Sequence, residues 1–217
     1  MPRPEHAARV PRFTRAERVT HWVNAVLFII AMTTGAMFRF GIGQSIFSDR
    51  AILRGIHVYF GLAIVVAFLV AMIPRWGRAL RRDASRINRW SPDEIRWLTS
   101  FGRARGARLG KFNPGQKLNA AFVPAAALVL AASGSIMFWN QPFSTSLRSG
   151  ADFVHQCFAW LIWITVAGHI ILALQDRESL RGMTGGTVSA EWAERHRPAW
   201  YAEVTSVTPE VLDQVDA

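Results

Sequence analysis

Apolar and polar positions are segregated along the 217-residue chain: four long windows contain no Asp, Glu, Lys or Arg. They cover 19–38, 55–74, 118–147 and 153–175, and the segments between them are rich in arginine. Each holds 17 or more mostly apolar residues, enough at about 1.5 Å per residue to cross the hydrocarbon core of a bilayer. The pattern therefore predicts an all-α membrane protein, a bundle of four transmembrane helices over about 19–38, 55–74, 118–139 and 153–175. Residues 1–217 form one integral-membrane domain in this reading, with a loop at 75–117 and a tail at 176–217. About twenty mostly polar residues precede the first window and no small-residue cleavage site follows it, so a retained span is expected rather than a secretory signal.

Shorter periodicities lie between the windows. Trp76, Leu80, Ala84 and Ile87 recur at helical spacing among arginines. Ser91-Pro92-Asp93-Glu94 has the form of a capping box with proline at the first helical position, leading into Ile95, Leu98 and Phe101. Trp and Arg together suit a cationic loop at the membrane interface. The tail, with Trp192 and Trp200, is expected to be a surface segment. No solenoid-type repeat or low-complexity tract interrupts the chain.

Composition alone, 51% hydrophobic with a net charge of +10, leaves nucleic-acid binding open. The location of the charge changes that. Five Lys or Arg precede the first window, twelve lie between the second and third, and four follow the last. Only four (Arg39, Arg50, Arg54, Arg148) occupy the other two connections. By the positive-inside rule both termini and the 75–117 loop are cytoplasmic, and the charge is explained without nucleic acid. The single cysteine, Cys157, excludes an internal disulfide and a Cys-rich metal site, and no C-x-x-C-H haem attachment sequence occurs. It points away from His155 by helical geometry and is expected to be packed.

Ionisable residues inside membrane helices are costly and usually functional. His155 and His169 lie fourteen residues apart in the last window. That separation turns a helix through about 1400° and rises about 21 Å, so both rings share a face at opposite depths. Spans 1 and 3 run outward and spans 2 and 4 inward. His21 and His169 are then both near the cytoplasmic surface, and His57 and His155 both near the outer one. Two neutral imidazoles facing each other from separate helices are what a six-coordinate haem b requires. The separation within span 4 forbids a single four-histidine metal site. Gly35 and Ala71 lie fourteen residues after His21 and His57, where a porphyrin needs room. His6 and His196 lie outside the spans and are expected to be solvent-exposed.

A turn-rich loop, Lys111-Phe112-Asn113-Pro114-Gly115-Gln116-Lys117, enters span 3 at the cytoplasmic level. Asn and Gln supply donors and acceptors, and Lys117 supplies a proton route, as a quinone site requires. From spacing alone, a plain helix-start turn accounts for the loop equally well.

The segments RFTRAERVTHWVNAVLF, GIHVYFG, KFNPGQKLNA, the His155/His169 helix and EWAERHRPAWYAEV together resemble the gamma, cytochrome b, subunit of membrane-bound formate dehydrogenase. The resemblance implies an electron-transferring anchor in the bacterial inner membrane. It would sit in a complex with an iron–sulfur beta subunit and an alpha subunit carrying a molybdenum or tungsten pterin. It implies two haems b, the outer on His57 and His155 and the inner on His21 and His169. It also implies a menaquinone or ubiquinone site at Asn113, Gly115 and Gln116, beside Lys117. Such a chain breaks no bond of formate itself. Cytochrome b subunits of nickel–iron hydrogenases and thiosulfate reductases share the four-helix plan; the NPGQK loop and the tail favour formate dehydrogenase. From another class, a haem-free anchor or proton-conducting bundle fits the four spans.

Overall fold

The computed structural model describes residues 8–42, 47, 49–139 and 141–206; His6 lies outside them. In chain order the described elements are β1 (Arg9–Pro11), α1 (Arg15–Phe40), α2 (Arg50–Ala71), α3 (Arg78–Asn88) and α4 (Pro92–Thr99), followed by α5 (Pro114–Phe138) and α6 (Thr145–Gln175). The tail supplies α7 (Arg177–Gly185), β2 (Thr187–Ser189), α8 (Ala190–His196) and α9 (Pro198–Thr205). They fall into two compact units. One comprises Ala16–Arg81 with Ala121–Leu172; the other gathers the described parts of 1–15, 82–120 and 173–217.

The first unit holds most of α1, α2, α5 and α6, the four described helices long and apolar enough to cross a membrane. Each begins before its charge-free window, because a helix continues through charged residues that a hydropathy window excludes. Helix α2 starts at Arg50, where the Asp49 side chain accepts from the Ala51 N–H at 2.7 Å. It ends at Ala71, ahead of Pro74, whose ring disfavours helical backbone at the preceding residue. The core is small: Phe28, Ile64, Ala126, Ala127 and Ile162, with Phe68, Phe122 and Phe158 packed around it. Ala126 and Ala127 carry only methyl groups, which lets neighbouring helices approach α5 closely. Large apolar side chains point the other way, among them Leu69, Ile164 and Leu172, each about two-thirds exposed. An outward-facing apolar surface of this extent suits acyl chains as solvent. Cys157, expected to be packed, is exposed on this surface; helical phase sets it off the inward face, and no neighbour covers it.

The second unit corrects the reading of the tail as a surface segment. β1 and β2 pair antiparallel, with Val10 opposite Val188. Val188, Trp192, Ala193 and Trp200 form a core of their own, with Val10, Tyr201 and Val204 against it. The tryptophans are buried because this pairing joins residues about 180 positions apart, a contact that local pattern does not carry. His196 is exposed, as expected, and stacks on Trp192 with ring centroids 5.3 Å apart.

Buried charge organises the same unit. The Arg12 guanidinium donates to Ser179 Oγ at 3.0 Å and to the Lys111 carbonyl at 3.2 Å, and lies 4.7 Å from the Trp192 ring. Burial, then the nearby Arg197, pushes Arg12 down to about 9, and burial pushes Arg197 down to about 10; both stay protonated at neutral pH. Burial alone would raise Asp176. Hydrogen bonds from the Ser179 N–H and hydroxyl, with the charges of Arg197 and Arg12, hold it below the usual carboxylate value instead. Its carboxylate caps α7 and offsets the two guanidiniums together.

Candidate functional site

Within the membrane-spanning unit the four span histidines come together in two pairs. The His57 and His155 rings, from α2 and α6, have centroids 6.1 Å apart; His21 and His169, from α1 and α6, have centroids 6.0 Å apart. These are the couples that depth along the spans leads one to expect. A metal–nitrogen bond of about 2.0–2.1 Å on each side, with a ring radius of about 1 Å, calls for centroids about 6 Å apart. Both spacings match that requirement. Among the described residues no group of three or more His, Cys, Asp or Glu gathers into a protein-only metal cage. Two imidazoles leave a metal's remaining positions to other donors, and a porphyrin supplies four nitrogens.

The outer-pair rings are fixed from behind. His57 Nδ1 lies 3.0 Å from Thr34 Oγ1 and 3.1 Å from the Ala31 carbonyl oxygen on α1. His155 Nδ1 lies 3.1 Å from Ser133 Oγ on α5. Next to each hydroxyl is a glycine. A Cβ on Gly35 would stand 3.2 Å from His57 Cε1, and one on Gly134 would stand 3.2 Å from His155 Cε1. Gly35 thus admits the edge of an imidazole. The sequence pointed to room at Gly35; it did not single out Thr34, Ser133 or Gly134. The signal present was a hydroxyl–glycine pair in each of spans 1 and 3, Thr34-Gly35 and Ser133-Gly134.

Phe38 meets His57 edge-on at 5.9 Å and lines a cavity of about 290 Å³ with Arg50, Ala51 and Arg54. In the inner pair His21 has Trp22 edge-on at 5.3 Å, and His169 is the most open of the four rings.

Residues 12–186 match the family described as prokaryotic cytochrome b561, more than half of the chain. The chain belongs to that family. Cytochrome b membership implies haem b, and the paired imidazoles fit it. This cytochrome is 29% identical over 203 residues to the formate dehydrogenase cytochrome b556 subunit of Haemophilus influenzae, covering 90% of this chain and 83% of the relative. It is 27% identical over 210 residues to the formate dehydrogenase cytochrome b556(fdo) subunit of Escherichia coli K12, covering 92% and 95%. The nitrate-inducible cytochrome b556(Fdn) subunit of the same strain matches at 27% over 202 residues, covering 87% and 88%. The likeness to the formate dehydrogenase cytochrome b subunits thus runs over most of the chain.

The loop residues singled out beside these histidines belong to the second unit. The Asn113 N–H donates to Gln116 Oε1 at 3.0 Å, and the Gln116 N–H donates to Asn113 Oδ1 at 2.8 Å. This reciprocal cap starts α5 as a capping box does. Arg197 donates to Gln116 Oε1 as well, at 3.3 Å, and a Cβ on Gly115 would lie 3.4 Å from Asn113 Oδ1. Lys117 Nζ contacts Glu94 Oε1 at 2.7 Å and donates to the Arg89 carbonyl at 2.6 Å. Glu94 also closes the capping box foreseen at Ser91: its Oε2 accepts from the Ser91 N–H at 2.9 Å.

Proposed function

We propose that this cytochrome is the membrane-anchoring, electron-transferring subunit of a formate dehydrogenase complex in the bacterial inner membrane, taking electrons from an iron–sulfur partner and delivering them to a quinone. The observation that carries the reading is the meeting of four imidazoles as two couples, each spaced for one metal between two rings. The relatives' names, formate dehydrogenase cytochrome b556 subunits, support a complex with other subunits; the resemblance adds an iron–sulfur beta subunit and a molybdenum or tungsten pterin alpha subunit as the partners we propose.

Two haems b, when bound, supply a one-electron relay. His57 and His155 would hold the outer one, His21 and His169 the inner one. Held by an imidazole on each side, neither iron would have a vacancy for dioxygen or organic substrate, so the chemistry supplied would be electron transfer alone. The chain's own contribution is to fix the rings, exclude water and set the depth of each couple. The two depths differ by about 21 Å of rise along α6. The basic asymmetry supports a cytoplasmic location for both termini and the 75–117 loop; with the iron–sulfur partner feeding the outer couple, electrons would run inward. Moving two electrons inward against a potential negative inside opposes about 4.6 kcal/mol per 100 mV of full crossing, twice the one-charge value of about 2.3. The donor must therefore be strongly reducing. For the quinone, menaquinone or ubiquinone, we assign Asn113, Gly115, Gln116 and Lys117, on the strength of the resemblance and the polar groups they carry.

Haem content of the complex purified from membranes tests the reading. Two haems b per chain, with a sharp α-band on dithionite reduction, are expected; a reduced spectrum without that band eliminates electron transfer. Copurifying subunits, identified by mass spectrometry, separate a formate dehydrogenase from a hydrogenase or thiosulfate reductase assembly. A further outcome follows from the glycines. Gly134→Val adds a branched side chain where even a Cβ sits 3.2 Å from His155 Cε1. It should reduce haem content towards one per chain. Gly168→Ala, on the same helix as His155 but with nothing within 4 Å of its added Cβ, should leave haem content unchanged.

A further inference from the structure

The outer and inner couples differ in what stands behind their rings. Behind the outer couple a hydroxyl–glycine pair is repeated: Thr34 and Gly35 on α1 face His57, with the Ala31 carbonyl beside them, and Ser133 and Gly134 on α5 face His155. Each hydroxyl already spends its proton on its own helix. Thr34 Oγ1 donates to the Ile30 carbonyl at 2.8 Å, and Ser133 Oγ donates to the Val129 carbonyl at 2.7 Å. Towards the imidazole each oxygen can then only accept. The Ala31 carbonyl can only accept as well. Nδ1 then carries the proton on both rings, which leaves the Nε2 lone pair free to bind a metal. Among the described residues, no hydrogen bond reaches the ring of His21 or His169.

We infer that Thr34 and Ser133 are positioning residues that hold His57 and His155 as Nε2-ligating tautomers and make the outer iron a weaker electron acceptor than the inner one. The inference rests on the two-haem reading above. An imidazole that donates its Nδ1 proton is a more basic ligand and gives more electron density to the metal, favouring the oxidised iron. Three acceptors act on the outer couple: the Thr34 hydroxyl and the Ala31 carbonyl on His57, and the Ser133 hydroxyl on His155. The outer site is then the lower-potential site, and an electron moving inward falls towards the higher one. That drop offsets part of the opposing membrane potential. The two hydroxyls thus help to give direction to the pair of bis-imidazole sites.

Potentiometric titration of the haem α-band in the intact purified complex tests this. Wild type is expected to titrate as two one-electron components, and His155→Ala, which removes an outer ring, should leave only the higher one. Thr34→Val and Ser133→Ala should each raise the lower component without moving the higher, and the double variant should raise it further. Thr34→Ser, which restores the hydroxyl, should return the wild-type value. The inference is overturned if both components stay in place in variants that retain two haems. It is equally overturned if the higher component moves, or if Thr34→Ser behaves like Thr34→Val. Should Thr34→Val shed the outer haem altogether, Thr34→Ser must restore it, and failure to do so also overturns the inference. A wild-type complex lacking two haem b components refutes the two-haem reading itself, a result distinct from two components that ignore the hydroxyls.

Discussion

His155→Ala is expected to purify with one haem b per chain instead of two, and formate-to-quinone electron transfer should fall by more than about 100-fold, since loss even of groups behind a metal ligand costs about 10–100-fold. Among the described residues, no third imidazole stands beside the outer couple. His57 faces His155 at 6.1 Å, and the residues behind them, Thr34 and Ser133, are hydroxyls already bonded to their own helices. The inner couple shares helix α6 with the outer one but no side chain, and lies about 21 Å away along it. It should survive the change. Absorbance of the reduced complex and haem extraction read the result directly. Loss of both haems, or of neither, would break the pairing. The connectivity adds a second expectation from the same variant. In the proposed arrangement an outer haem would tie α2 to α6 and an inner one α1 to α6, so α6 would be the helix common to both, with no ligand from α5. Without the outer tie, α2 should become the span most easily cleaved by added protease, with α1 protected as before.

The parts of this architecture written in local pattern were legible. Charge-free windows marked the spans, and alternation of direction sorted His21, His57, His155 and His169 into two depths before any coordinates. Ser91-Pro92-Asp93-Glu94 announced its own cap. What was not legible depends on partners distant in sequence or on an ambiguous donor. Thr34 and Ser133 look like ordinary helical hydroxyls, because back-bonding to the carbonyl four residues earlier is what such residues do in membrane helices. Only the imidazole standing opposite gives them another meaning. Strands of three residues, Arg9–Pro11 and Thr187–Ser189, carry no periodicity to detect. Their pairing draws Trp192 and Trp200 inward, which the polar tail sequence did not suggest. The basic residues carry a similar lesson. Arg12, Lys111 and Lys117 count towards a cytoplasmic charge excess in the sequence, yet all three are buried and held by named acceptors. The net charge is unaffected by that finding; the picture of a uniformly solvated basic loop does not survive it.

Lys117→Met should open the second unit by about 3 kcal/mol, the lower end of the cost of stranding one partner of a buried ion pair. Lys117 and Glu94 are each about 5% exposed in their side chains and meet at 2.7 Å. Removing the ammonium leaves the Glu94 carboxylate with the Ser91 N–H as its remaining named partner, inside a unit where water cannot replace what was lost. Glu94→Gln should cost a comparable amount for the opposite reason, a stranded ammonium. The double variant Glu94→Gln with Lys117→Met should recover most of the loss. Glutamine still serves as the third residue of the capping box, and the methionine stem still packs against Trp90, whose ring lies 5.3 Å from Nζ. Amide hydrogen exchange over 82–120 in the intact complex measures this as about a 100-fold loss of protection in the single variants, at about 1.4 kcal/mol per tenfold. Protection equal to wild type in either single variant would show that the pair holds nothing. The same double variant separates the two roles assigned to Lys117. If the lysine acts only through the pair, quinone reduction returns together with amide protection. If its proton serves the quinone, protection returns while quinone reduction stays low, because only there is the ammonium itself required.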